Sequence, residues 1–257
     1  MTGTSAIEWT GMTWNPLTGC TRVTAGCEHC YAFTLHDTRH KVYVEYGGIW
    51  PETSKPIPKQ YARPFSELQL FPERLELPLR IKQPRMIFVN SMSDFIHSGV
   101  PDSFIFEIIE VMRRASWHTF QVLTKRPGRL RRLGKVIDWP ANVWVGVSIE
   151  LDSLTVRADA LREINPAVRF LSCEPLLGPL PSLKLDGIGW VIVGGESGVG
   201  ARPMQEAWVC DLRDRCVAAG VPFFFKQWGG RTPKAGGRML QGRMWDEMPG
   251  HVGVQSG

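Results

Sequence analysis

Val143-Trp144-Val145-Gly146-Val147-Ser148-Ile149-Glu150 is a nearly unbroken apolar run that ends on a carboxylate. It predicts a strand over 143–149 in a sheet covered on both faces. An amphipathic stretch, Leu151–Ile164, follows and stops before Asn165-Pro166, and a second apolar run, Val168–Ser172, comes next. Strand, helix and strand in this order predict parallel strands joined by crossover helices.

The alternation continues in both directions. Upstream, Met86–Met92 and Thr119–Thr124 predict strands. Between them Phe104, Ile105, Ile108, Ile109 and Met112 share one face of a helix over Ser103–Ala115, with Asp102 as its N-cap. A short basic helix is expected over Gly128–Lys135. Downstream come a strand at Trp190–Val193, a helix over Gln205–Ala219 closed by Gly220, and a last strand at Val221–Lys226. The fold class is α/β, and right-handed crossovers suit either a barrel or a doubly wound sheet. The 257 residues read as one domain, 1–257, with two appendages. One is the irregular segment 50–64, which holds Pro51, Pro56, Pro58 and Pro64. The other is a Gly/Arg-rich tail, 229–257, expected to fray from His251 onward.

With 43% apolar and 21% charged residues, the composition allows a sizeable packed core, and disorder is not the default. No window is long and apolar enough for a membrane span. The first residues lack a signal-peptide pattern, so a reducing cytosol is expected. There the six cysteines read as thiols or metal ligands, not disulfides. A net charge of +5 is compatible with a phosphate-bearing partner.

Polar residues gather where the expected strands end. These are Asn90, Ser91, Ser93 and Asp94; Thr124, Lys125 and Arg126; Ser148 and Glu150; Cys173 and Glu174; Glu196 and Ser197; Lys226 and Gln227. The carboxyl edge of a parallel sheet is where ligands bind. Gly194 and Gly195 lie on the same edge, suited to close approach of the backbone to a ligand, but the following residues lack the ending of a phosphate loop.

Cys20, Cys27 and Cys30 fall within eleven residues, flanked by Gly19 and Gly26. Thiolates favour iron–sulfur clusters and zinc. A structural zinc ion needs a fourth protein ligand, which His29, His36 or His40 could supply. A 4Fe-4S cubane held by three cysteines leaves one iron open.

The three-cysteine loop followed by strand–helix units resembles the radical S-adenosylmethionine superfamily. The last gap is the superfamily's two residues, with His29 as the ring before Cys30; the first gap is six residues instead of three. Further blocks span most of the chain: Thr13–Cys20, Gly26–Ala32, Phe88–Asp94, Leu123–Pro127, Ser172–Leu176, Val193–Gly198 and Phe225–Gly229. They are similar to a family of phage-associated and bacterial proteins, with a distant likeness to spore photoproduct lyase. The resemblance implies a partial parallel (β/α)6-type barrel. It also implies a 4Fe-4S cluster on Cys20, Cys27 and Cys30, S-adenosylmethionine (SAM) as cofactor, and an external electron donor. SAM would be cleaved reductively to a 5′-deoxyadenosyl radical.

Roles follow by position. His29 or Tyr31 packs near the adenine. Asn90, Ser91, Ser93 and Asp94 bond the methionine amine or ribose, and Lys125 or Arg126 pairs with the methionine carboxylate. Ser148, Glu150, Glu174 and Glu196 bind ribose or substrate. Cys173, on the opposite strand face, is a weak candidate for hydrogen-atom donor. Arg126, Arg129, Arg131, Arg132 and Lys135, with Arg231, Lys234, Arg238 and Arg243, suggest a nucleic-acid groove in which Trp228 or Trp245 stacks a base. The expected activity is therefore a lyase or modification reaction on a nucleic acid or nucleotide, of the DNA-repair kind. The alternatives are a radical enzyme acting on a peptide or small metabolite, and a non-enzymatic zinc- or cluster-stabilised nucleic-acid-binding module.

Overall fold

The structure is a computed structural model that describes residues 2–5, 7–232 and 234–250; the end expected to fray, 251–257, lies outside them. In chain order the elements are β1 (Thr2–Thr4), β2 (Met12–Trp14), β3 (Leu17–Thr18), α1 (Tyr31–Glu45) and β4 (Gln69–Leu70). There follow β5 (Met86–Val89), α2 (Asp102–Arg114), β6 (Thr119–Thr124), α3 (Pro127–Gly134) and β7 (Val143–Ser148). The last are α4 (Val156–Arg162), β8 (Val168–Cys173), β9 (Trp190–Gly194), α5 (Glu206–Ala219) and β10 (Phe223–Gln227).

The main sheet runs β1-β2-β5-β6-β7-β8-β9-β10, and all its pairs except β1–β2 are parallel. From β2 onward each strand lies beside the next main-sheet strand in sequence. A doubly wound sheet needs a reversal of that order. None occurs, so the seven parallel strands curl one way into a half-barrel. The expectation of an α/β partial barrel holds at this level.

One-way winding puts α2 to α5 on one face, and the two larger of the three apolar clusters show it. The larger joins Ile105, Ile108, Leu130, Leu161 and Leu212 from the helices to Val145, Val147, Leu171, Val191 and Phe225 from the strands. The other lies on the concave face and holds no helical residue: Trp9, Phe88, Trp144, Val168, Phe170, Trp190, Ile192 and Phe224. Strand residues alternate between the two faces. Trp190 is fully buried at the centre of the concave layer, with ring centroids of Trp144, Phe170, Phe224 and Trp9 within 6.2 Å. Its indole N–H donates to Glu247 O at 2.9 Å and ties the tail to the barrel.

Some boundaries differ from expectation. The strand expected over 86–92 stops at Val89, because Asn90 takes a left-handed turn (φ 63°). Asp102 does not cap α2. Pro101 does, and the Asp102 carboxylate accepts from Arg129 and Arg132 instead. The helix expected over 151–164 is a short turn, Asp152–Leu154, followed by α4, because Leu151 is extended. Segment 50–64 holds a short 3-10 helix, Lys59–Ala62, whose Tyr61 ring packs on His36 of α1. No helix among the described residues is long and apolar enough to cross a membrane.

Because Trp190 fills the centre of a layer with no helix behind it, Trp190→Ala should cost about 3–5 kcal/mol. That lowers the Tm by on the order of 10 °C for a chain of this size, read by thermal circular dichroism. A shift under ~2 °C would show that the concave layer does not act as a core.

Candidate functional site

The loop between β3 and α1 carries Cys20, Cys27 and Cys30 and lies across the carboxyl ends of the strands. Gly19 makes its entry possible. It has φ 99°, and a Cβ there would meet Glu67 O at 2.2 Å. The Gly19 N–H donates to Met92 O and the Cys20 N–H to Phe65 O. Cys20 and Cys30 pack against Ala32, Phe33, Phe65 and Met92, and Arg22 donates to Cys27 O while its guanidinium covers the Phe33 ring.

Charged groups from three strand ends hold this loop. The Glu150 carboxylate, fully buried after β7, accepts from Lys125 after β6, from Arg157 on α4 at 2.9 Å, and from the Thr24 hydroxyl at 3.2 Å. Gly26 lies flat on it, since a Cβ there would meet Glu150 Oε1 at 2.5 Å. Burial pushes the Glu150 carboxyl up, but the Lys125 and Arg157 charges more than offset this and hold it below its ordinary value. On the other side, Glu196 after β9 accepts from Arg202, which also donates to Ala25 O at 2.8 Å and to Glu28 at 2.9 Å. Glu196 lies 3.2 Å from His29 Nδ1. Burial again raises the Glu196 carboxyl, and Arg202 and His29 bring it below its ordinary value.

These contacts revise several expected roles. Lys125 is spent on Glu150 and is not free for a ligand carboxylate. Arg126 contacts Thr21 and Asp94. Asp94 accepts from Thr124 Oγ1 and the Lys125 N–H, Ser91 donates to Asn15, and Ser93 donates to Leu17 O. Glu150 and Glu196 position the cysteine loop. Cys173 is fully buried on the helix-side face, away from the concave mouth, so it is not placed to donate a hydrogen atom there. The ring nitrogens of His36 and His40 bond Arg63 O and Tyr61 O.

Other residues stay available. Asn90 is 2% exposed, and neither its amide nitrogen nor its amide oxygen has a partner among the described residues. Buried polar groups are nearly always paired, so a bound polar ligand would complete this one. Tyr31 is half-exposed, its hydroxyl donating to Ser91 O at 2.7 Å. Ser148 and Ser172 are small and buried, and Ser172 donates to Glu174 at 3.1 Å. Lys226 lies 3.1 Å from Glu174, a partner that sequence reading placed at a strand end without a role. Reading the sequence also missed Arg157 and Arg202, whose only signal is their charge.

Three thiols on one glycine-flanked loop supply the donor type that iron–sulfur clusters use. Burial and the Asp94 carboxylate push the Cys20 thiol up to about 11, against the opposing charge of Arg126. Among the described residues no three His, Cys, Asp or Glu side chains converge on a single metal-ion position. A cubane does not ask for that, since each thiolate binds a different iron.

With a folded pKa below the ordinary 4.5, Glu150 binds fewer protons in the folded than in the unfolded chain as the pH falls through that window. Its stabilisation is therefore full above that value and is lost as the pH falls through the folded one. Glu150→Gln should destabilise the protein by about 3–5 kcal/mol at neutral pH, because Lys125 and Arg157 lose their buried counter-charge. Urea unfolding at neutral pH and near pH 4 should show this deficit shrinking in acid. A deficit independent of pH contradicts the assignment.

The profile of a family described as "Protein of unknown function (DUF5131)" matches residues 4–249. No curated protein and no solved structure matches the chain. The matched span covers nearly all of the sequence, and the chain belongs to the DUF5131 family.

Proposed function

We propose that this protein is a radical SAM enzyme working in a reducing cytosol, with a 4Fe-4S cluster on Cys20, Cys27 and Cys30. Its substrate class is a nucleic acid or nucleotide, in repair or modification chemistry. The observation that carries the reading is the three-thiol loop pinned over the carboxyl ends of a one-way-wound parallel half-barrel. Cys20, Cys27 and Cys30 would hold the cluster, which when bound and reduced by an external donor would supply the electron for reductive cleavage of SAM.

The chain's own residues bind, orient and exclude water. Glu150, clamped by Lys125 and Arg157, and Glu196, clamped by Arg202, hold the loop at fixed height above the strands. Asn90 offers one donor and one acceptor to the polar end of SAM. Tyr31 and His29 present rings beside the thiols, and Glu174 with Lys226 offers a paired charge on the concave wall. The aromatic layer below closes the floor to water.

Anaerobic reconstitution should give about four irons per chain and absorbance near roughly 400 nm from thiolate-to-iron charge transfer. Cys20→Ala, Cys27→Ala and Cys30→Ala should each lose most of that iron, while Cys210→Ala keeps it. Dithionite with SAM should yield 5′-deoxyadenosine. Full iron content in all three loop variants would sink the reading.

A further inference from the structure

Most cations of the expected basic groove already have a carboxylate partner, with Asp102 and Glu163 each serving two of them. Arg129 and Arg132 pair with Asp102, Arg131 and Lys135 with Glu163, and Arg126 with Asp94. In the tail, Arg238 pairs with Asp246 and Arg243 with Glu247. Of the basic residues proposed for that groove, only Arg231 and Lys234 have no acidic partner among the described residues.

Arg231 is exposed and lines an open surface cavity of about 330 Å³ with Gly198, Val199, Gly200 and Ala201. No carboxylate lines it. The loop is held at both ends: the Gly198 N–H donates to Gly230 O at 2.9 Å, and the Arg202 N–H to Glu196 Oε2 at 2.9 Å. Between them Gly198 (φ 121°) and Gly200 (φ 79°) are left-handed, a backbone form that other residues rarely adopt. The N–H groups of Val199 and Gly200 have no acceptor among the described residues. Val199 is 88% exposed, an apolar side chain held out at the cavity rim. The back of Gly200 faces His29, whose Cε1 would lie 3.3 Å from a Cβ at that position. The cavity therefore adjoins the cysteine loop.

We infer that this cavity is a phosphate subsite, taking a phosphate group of a nucleotide or nucleic-acid substrate whose reacting part lies at the mouth beside His29. Left-handed turns with successive unpaired amides form anion-binding concavities. A guanidinium adds charge-assisted bonds that match phosphate oxygens, and Val199 offers apolar contact to the sugar or base. The inference rests on the substrate class proposed above and is independent of the cluster chemistry.

The test is fluorescence anisotropy with a labelled single-stranded oligonucleotide, using unlabelled oligonucleotide, a mononucleotide and inorganic phosphate as competitors. Arg231→Glu should weaken binding about tenfold and reduce the slope of log K against log salt by about 0.7, as for one lost phosphate contact on a single strand. Arg243→Glu, whose arginine is already paired in the tail, should shift Kd by less than about threefold. Competition by mononucleotide as well as oligonucleotide assigns the phosphate to a free nucleotide; competition by oligonucleotide alone assigns it to a strand. Either result supports the subsite if it depends on Arg231. An unchanged Kd in Arg231→Glu, equal losses in both variants, or no binding of any probe overturns it. Iron content of the reconstituted Arg231→Glu protein is read in parallel and should equal wild type, so failure of the cluster reading shows separately.

Discussion

Everything at the mouth of this half-barrel depends on a buried carboxylate, Glu150, held between two cations. A carboxylate at zero exposure is costly unless it is paired and hydrogen-bonded. Lys125 comes from the end of β6, Arg157 from α4, and the Thr24 hydroxyl and Gly26 backbone from the cysteine loop. One charge thus fixes two strand ends, a helix and the loop relative to one another. Such pairs are weak sources of net stability and strong sources of geometry, because losing one partner leaves an uncompensated charge. A site that must hold three thiols at set positions needs the geometry more than the stability.

The same economy governs the concave face. Along β7, β8, β9 and β10 the inward residues change from Trp144, Phe170, Ile192 and Phe224 to Ser148, Ser172, Gly194 and Lys226. Large rings at the amino end plug a half-barrel that no helix covers, and small or polar residues at the carboxyl end leave room. Gly194 shows the space is needed, since a Cβ there would come within 2.9 Å of Glu174 Oε1. The tail completes the enclosure: Glu247 accepts from Trp190, and Met248 packs beside the layer.

The order of elements was legible because long apolar runs and amphipathic stretches are fixed by periodicity, and the observed strands fall within about two residues of most expected spans. The winding was not legible, because alternation alone is the same for a barrel and a doubly wound sheet; only the unbroken strand order decides. The helix α1 carries little periodicity, with Ala32, Phe33 and His36 its buried residues. Among site residues, the cysteines, Gly19 and Gly26 stood out by spacing. Lys125, Glu150 and Glu196 were found, yet read as ligand contacts. Sequence shows which charges exist but not which are consumed by partners far along the chain, such as Arg202 reaching back to Glu28 and Ala25.

That distinction matters most for the net charge of +5. A run such as Arg129, Arg131 and Arg132 invites a nucleic-acid reading, but each of these arginines already has a carboxylate partner in Asp102 or Glu163. What recognises a phosphate is a cation without a counter-charge beside amide groups without acceptors. In this fold those two features coincide at Arg231 and the Gly198–Ala201 turn, beside His29 of the cysteine loop. Gly200, one of the two glycines of the turn, also brings the backbone against His29 of the cysteine loop. A ligand's charge and its reacting atoms can thus be gripped by neighbouring parts of one sheet edge.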